Sequence, residues 1–327
     1  MSVTKTSAKA SAPAKIILFG EHFVVYDNPA ILASIDRRIH VSVYLNKTKN
    51  INIRSDLEIA DSYKSSKLKL TNCKKNRELI FYPLYKLIKS ILSKNNENVG
   101  IDVDIRSEIP FGIGLGSSAA CCVAISGAVK SLFHEPDRQQ IYSIAVESER
   151  VIHQNSSGAD CYISTFGGLI YYIKNKALNK IKSPKKLSLI IVNTRIKHST
   201  GSLVSSVKKY QSKNRILFND LSQSAYDICQ SALYAIKTGN EKRLGNLMNE
   251  NQKLLQDIGV SHKKIDEIVD LCIKNGAFGA KLTGAGGGGS IIALLPKRDT
   301  NDIILEIEKN GWECMPVKID YGGMRIY

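Results

Sequence analysis

Apolar and polar positions alternate along much of the first third of the chain. Residues 12–19 are almost wholly apolar and stop at Gly20, which predicts a strand ending there. Asp27-Asn28-Pro29 is a turn signal. Beyond it Ile39, Val41, Val43 and Leu45, then Ile51 and Ile53, repeat at a period of two and predict antiparallel strands. Pro83 suits the first turn of a helix running to about Lys94, with Leu84, Leu87, Ile88, Ile91 and Leu92 as its inward stripe. Ile101, Val103 and Ile105 give another strand, and a long apolar helix follows from about Ser117 through Phe133. Asp137 with Gln140 has the spacing of a capping box and opens a helix toward His153. Strands are expected at 168–173, 187–192, 280–282, 290–295 and 315–319, and helices at 217–237, 241–256 and 263–275. The basic stretch 174–186, with its Ser-Pro, is the best linker candidate. The expectation is two units in series, of α+β type with mixed strand directions and not a doubly wound sheet.

Length and composition narrow this little. A chain of 327 residues can bury two cores, and 43% hydrophobic with 23% charged residues is ordinary for a globular protein. No apolar run approaches the roughly 20 residues of a membrane span. The first nine residues are polar and lysine-dotted, which predicts a disordered tail and a cytoplasmic protein without membrane attachment. Seven cysteines, at 73, 121, 122, 161, 229, 272 and 314, form no CxxC pair, so reduced thiols are expected and a structural zinc site is not. The net charge of +16 admits a nucleic-acid binder or a basic enzyme with anionic substrates. The lysines lie in scattered short groups without interleaved aromatics, which argues against nucleic acid.

Four segments carry candidate chemistry. In Pro110-Phe-Gly-Ile-Gly-Leu-Gly-Ser-Ser-Ala-Ala120, glycines at 112, 114 and 116 let main-chain N–H groups approach an anion, and a helix opens at Ser117. The run is neither a Walker A sequence nor a Rossmann fingerprint. On local physics alone, a phosphate cradle and a tightly packed strand-to-helix turn both stay open. A second cluster, Lys281-Leu-Thr-Gly-Ala-Gly-Gly-Gly-Gly-Ser290, lies between apolar segments, where so much backbone freedom implies close approach to something. Lys15 interrupts an apolar strand, so its ammonium either snorkels out or meets a carboxylate; Glu21 and His22 follow directly after Gly20. Finally, Glu149 precedes a small polar segment, Ser156-Ser-Gly-Ala-Asp160, in which a lone aspartate reads as a turn residue.

Taken together and in this order, the four segments resemble the GHMP kinase superfamily. The run at 110–120 is similar to its PxGxGLGSSAA motif, and 281–290 to its third motif. Within the superfamily, Gly20-Glu-His22 with Val24-Val-Tyr26 and Pro29-Ala-Ile31 resembles the mevalonate kinases. So do Thr194-Arg-Ile-Lys-His-Ser-Thr200 and the stretch from Asn251-Gln252 to Ile258-Gly-Val-Ser-His262. The resemblance implies an N-terminal domain (1–185) like the second domain of ribosomal protein S5 and a ferredoxin-like C-terminal domain (186–327). It also implies ATP-dependent phosphorylation of the terminal hydroxyl of mevalonate, with Mg2+ as cofactor and a homodimer admitted.

By the same resemblance Asp160 is the proton acceptor and Lys15 its partner, and Glu21, His22 and Thr200 hold the substrate. Pro110, Gly112, Gly114, Leu115, Gly116, Ser117, Ser118, Ala119, Ala120, Gly284 and Gly286 bind the nucleotide, while Ser118 and Glu149 ligate magnesium. The sequence departs from the family where Gln154 and Ser156 replace a glycine and a proline, and where Gly201 replaces an arginine. The nearest alternative is a related kinase acting on phosphomevalonate or on another mevalonate hydroxyl; Glu21-His22 argues against the first.

Overall fold

The structure, a computed structural model, describes residues 5–56, 68–70, 81–95, 97, 99–110, 112–135, 137–152, 157–174, 176–196, 199–298 and 300–327. Cys73, His153, Gln154, Ser156, Lys197 and His198 lie outside them.

The first unit is built on two long paired strands, β1 (Ser7–Phe19) and β2 (Pro29–Asn46). Residues 7–9, expected in a tail, already belong to β1, where Ser7 pairs with Tyr44. Pro13 has no N–H to give to the ladder, and the register shifts immediately after it. Strand β2 is long enough to serve two partners. Its second half pairs with β5 (Gly100–Ser107), and its first half with β6 (Leu169–Ile173). Beyond β5 lie β3 (Ile51–Ser55) and β4 (Leu68–Leu70). β3 runs parallel to β5, contrary to the antiparallel expectation, because α1 (Phe81–Lys94) returns the chain between them. The five residues expected to form the α1 stripe are all buried. Helix α2 (Ser117–Lys130), buried from Ala119 to Val129, lies on β1 and β2. Around it pack α1, α3 (Arg138–Ile152) and the short α4 (Ala159–Phe166). Asp137 accepts from the N–H of Gln140 at 3.0 Å, which opens α3 as its spacing predicts. The supposed linker contains β7 (Ala177–Ile181), an edge strand on β6; its Lys180 suits an edge that must not recruit another chain.

The second unit starts with β8 (Leu189–Asn193). Helices α5 (Thr200–Lys213), α6 (Arg215–Thr238), α7 (Glu241–Asp257) and α8 (Lys263–Lys274) follow. Then come β9 (Gly279–Thr283), β10 (Ser290–Leu294), α9 (Thr300–Lys309) and β11 (Glu313–Val317). The sheet order β11-β8-β10-β9, antiparallel throughout, is that of a ferredoxin-like β-α-β-β-α-β unit. No helix among the described residues is long and apolar enough to cross a membrane.

The two units are not strictly sequential. After β11 the chain returns to the first sheet, where β12 (Arg325–Ile326) pairs with β1. The buried Asp320 anchors this return: it accepts from Arg38, from Arg325 and from the N–H groups of Gly322 and Gly323.

Candidate active site

Strand β1 delivers Lys15 into the interior, where its main-chain N–H donates to Leu115 O at 2.9 Å. The side chain then crosses the start of α2. A Cβ on Gly116, whose φ is +71°, would stand 2.7 Å from Lys15 Cγ and 2.9 Å from Cε. Glycine is therefore required there twice over, for the left-handed backbone and for the lysine stem lying across it. The ammonium ends 3.2 Å from Asp160 Oδ2; the lysine is nearly sealed, whereas a third of the aspartate side chain is exposed. Asp160 is in the first turn of α4, behind Gly158 (φ +78°), and not in the turn that Ser-Ser-Gly suggested. The starts of α2 and α4, which pack on each other, thus meet around one lysine.

The first glycine run has an open side. Gly112 and Gly114 both have positive φ; a Cβ at Gly112 would meet nothing within 4 Å, and one at Gly114 only Thr283 O at 3.8 Å. The N–H groups of Ser117, Ser118 and Ala119, in the first turn of α2, have no carbonyl to bond within the helix. Ala120 differs from expectation: its N–H donates to Gly116 O at 3.1 Å and its side chain is buried, as are those of Leu115 and Ala119. These three positions contribute packing and main chain only.

The second glycine run is tight for a different reason. A Cβ on Gly286 would fall 2.2 Å from Val260 O, and one on Gly288 2.3 Å from Ile196 O. Its glycines let the loop lie against the protein's own backbone, while Gly284 faces Gly114 O across the gap between units. Thr283 seals that gap by exchanging hydrogen bonds with the N–H and C=O of Ile17, each at 3.0 Å, and Ser290 donates to Ile113 O at 2.9 Å.

Glu21 and His22 occupy a strained corner. His22 has φ +61° and ψ −46°, and Phe23 N–H donates to Glu21 O at 2.6 Å, which defines a γ-turn of the rare positive-φ kind. Such a residue costs about 1–3 kcal/mol and persists only when its surroundings hold it. The His22 ring is held by Ala285 O, 2.8 Å from Nε2. A carbonyl only accepts, so Nε2 carries the proton. Burial holds the imidazole below its ordinary value, which favours the neutral ring and leaves Nδ1 as an acceptor. The expectation that Glu21 touches substrate meets a contrary arrangement. Its carboxylate is fully buried, paired with Lys281 and 3.4 Å from Asn251 Nδ2. Burial pushes Glu21 up and Lys281 down, and each partner's charge opposes the other's shift. After the turn, Phe23 and Tyr26 pack on Phe218 of α6, with ring centroids 5.7 and 4.9 Å away.

Glu149, on α3, is buried, and the Cys161 thiol reaches its Oε2 at 3.4 Å. Burial and the Glu149 carboxylate push that thiol up, so it stays protonated and able to donate. Glu149 is thereby tied to the residue next to Asp160. Thr200 is exposed at the first position of α5; one turn on, Leu203 packs against Gly287.

Sequence reasoning passed over Lys281, quoted only as the start of a glycine motif. The signal was the same as for Lys15, a lysine inside an apolar strand. Asn251 and Gln252 were read only as a signature. Gln252 accepts from Leu282 N–H at 2.9 Å, and Asn249 from Ala280 N–H at 3.0 Å. α7 therefore satisfies the outer edge of β9.

The chain matches the GHMP kinases N terminal domain over residues 83–168 and the GHMP kinases C terminal domain over 232–312. It is 37% identical to the mevalonate kinase of Pyrococcus horikoshii, over 97% of each chain. Among solved structures, L. major mevalonate kinase in complex with R-mevalonate superposes with a TM-score of 0.84 at 27% identity, covering 98% of each chain. Methanococcus jannaschii mevalonate kinase gives 0.82 at 30% identity, over 95% of this chain and 98% of its own. Two domain matches and near-full-length similarity to mevalonate kinases make this chain a member of the GHMP kinase family, in its mevalonate kinase branch.

Proposed function

We propose that the protein transfers the γ-phosphoryl group of ATP to the terminal hydroxyl of mevalonate. The observation that carries the chemistry is the Lys15–Asp160 pair, set at the converging starts of α2 and α4. Phosphoryl transfer needs in-line positioning and neutralisation of charge on the transferred group, and little covalent work from the protein. The first-turn N–H groups of α2 and the open backbone at Gly112 and Gly114 receive the phosphates. Asp160 accepts the hydroxyl proton on its exposed oxygen, and Lys15 stabilises the oxyanion that develops on the attacking oxygen. His22, with Nδ1 free to accept, takes a hydrogen bond from a substrate hydroxyl. Thr200 stands on the rim contributed by α5, and Gly284 and Gly286 shape the facing wall.

The donor set beside this cradle fits a hard divalent cation. The Ser118 hydroxyl and the Glu149 carboxylate are both oxygen ligands, and Glu149 is already fixed through Cys161. Ser118 and Glu149 would hold magnesium, which when bound neutralises phosphate oxygens.

A coupled ADP-release assay across mevalonate, phosphomevalonate, homoserine and galactose tests the assignment. Turnover should be confined to mevalonate, with phosphate on its terminal oxygen; phosphate on another position would refute it. Asp160→Asn should keep ATP binding and lose turnover by about 10²–10⁴-fold.

A further inference from the structure

Glu21 and Lys281 make the most deeply buried ion pair among the described residues, with neither side chain exposed. Replacing a buried pair with apolar side chains of the same volume is often neutral or stabilising, so stability alone does not account for it. Its connections point elsewhere. Lys281 is in the middle of β9, whose edge N–H groups at Ala280 and Leu282 are fixed by Asn249 and Gln252 of α7. Helix and strand are in backbone contact, since a Cβ on Gly279 would fall 2.0 Å from Gly245 O. From this rigid base the Lys281 ammonium, also bonded to Leu282 O at 2.6 Å, reaches Glu21; Asn251 of α7 approaches the second carboxylate oxygen. Four residues beyond Lys281, Ala285 holds the ring of His22. The second unit, through α7, β9 and the loop that follows β9, therefore grips both residues of the strained turn in the first.

We propose that Lys281 is a positioning residue for the alcohol substrate: through Glu21 it holds the γ-turn that presents His22, and so sets substrate affinity without touching the substrate. The proposal rests on the reading of His22 as a substrate contact. An ion pair serves here because a carboxylate with both oxygens engaged fixes the turn's place against β9, whereas two apolar side chains can slide.

The test compares Lys281→Met, the apolar pair Glu21→Leu/Lys281→Met, Asn251→Leu and His22→Gln in steady-state kinetics and thermal melts. Lys281→Met should raise the KM for mevalonate about ten-fold or more while the KM for ATP stays within about two-fold. The double variant should recover most of the melting temperature and keep the raised mevalonate KM. Asn251→Leu leaves the ion pair in place and should raise that KM by a smaller factor, which keeps the test readable if Lys281→Met does not fold. Recovery of the wild-type KM together with the melting temperature in the double variant would reduce the pair to a structural one and overturn the proposal. A parallel rise in the ATP KM, or an unchanged mevalonate KM in both the double variant and Asn251→Leu, would overturn it too. An unchanged mevalonate KM in His22→Gln would instead remove the underlying reading, and the proposal with it.

Discussion

Gly116→Ala tests whether the path of Lys15 across the start of α2 matters for turnover. The added methyl has two consequences. It places an L-residue at φ +71°, costing about 1–2 kcal/mol. It also sets a carbon 2.7 and 2.9 Å from two Lys15 methylenes. Restoring an unstrained carbon contact of roughly 3.5–4.0 Å requires the lysine stem to move by about 1 Å. The side chain can yield, so the contact displaces the ammonium and does not unfold the protein. A displacement of that size at a reacting centre costs about 10²-fold in rate, or about 2.7 kcal/mol. The control is Gly311→Ala, just before β11, which carries the same left-handed strain (φ +85°) with no neighbour within 4 Å. Both variants should melt roughly 2–8 °C lower. With ATP and mevalonate saturating, kcat from coupled ADP release should fall about 10²-fold further in Gly116→Ala than in Gly311→Ala. Equal kcat values in the two variants would refute the argument that glycine is there to let the lysine pass.

The other expectations are brief. Because burial holds His22 below its ordinary 6.5, the unfolded chain binds a proton where the native protein does not. This contribution to stability is complete above about pH 6.5 and shrinks as the pH falls through that value; denaturant titrations from pH 7.5 to 5.5 should show a shallower loss in His22→Gln than in the parent. Asp320→Ala leaves the Arg38 guanidinium buried without its partner and should cost about 3–5 kcal/mol by chemical denaturation; the folded fraction should keep its kcat. Thr283→Val keeps the shape and removes both hydrogen bonds to Ile17. It should lower stability by about 1–3 kcal/mol in the same titration.

The sequence disclosed most of the elements whose faces differ. The α1 stripe, the alternation of β2 and β5 and the long C-terminal helices could be read because one face is buried and the other wet. Elements without that contrast escaped. α5 buries only Val207 among its fourteen residues, α4 is a single short helix introduced by a turn signal, and β7 is a short edge strand set inside a basic stretch. Parallel pairing of β3 with β5 was illegible because periodicity reports burial and says nothing of the neighbour. The site shows the same division. The meeting of Lys15 with a carboxylate was foreseeable from a lysine in an apolar strand, but its identity depended on family resemblance. The partner of Glu21 was illegible because a carboxylate beside His22 and a carboxylate sealed against Lys281 have the same local sequence. Only the sequence separation of 260 from Glu21 to Lys281, closed by the fold, distinguishes them.

The return of β12 to β1 bears on how the protein is made. Arg38 is synthesised early and Asp320 late, 320 − 38 = 282 residues afterwards. At about 5–20 residues per second, roughly 15–55 s pass between them. Through that interval the nascent first unit carries a guanidinium meant for the interior and a β1 edge with no partner at Ala10 and Ser11. The first unit can collapse during synthesis, but it reaches its finished form only when the second has been made and the chain has come back, so the two units mature together.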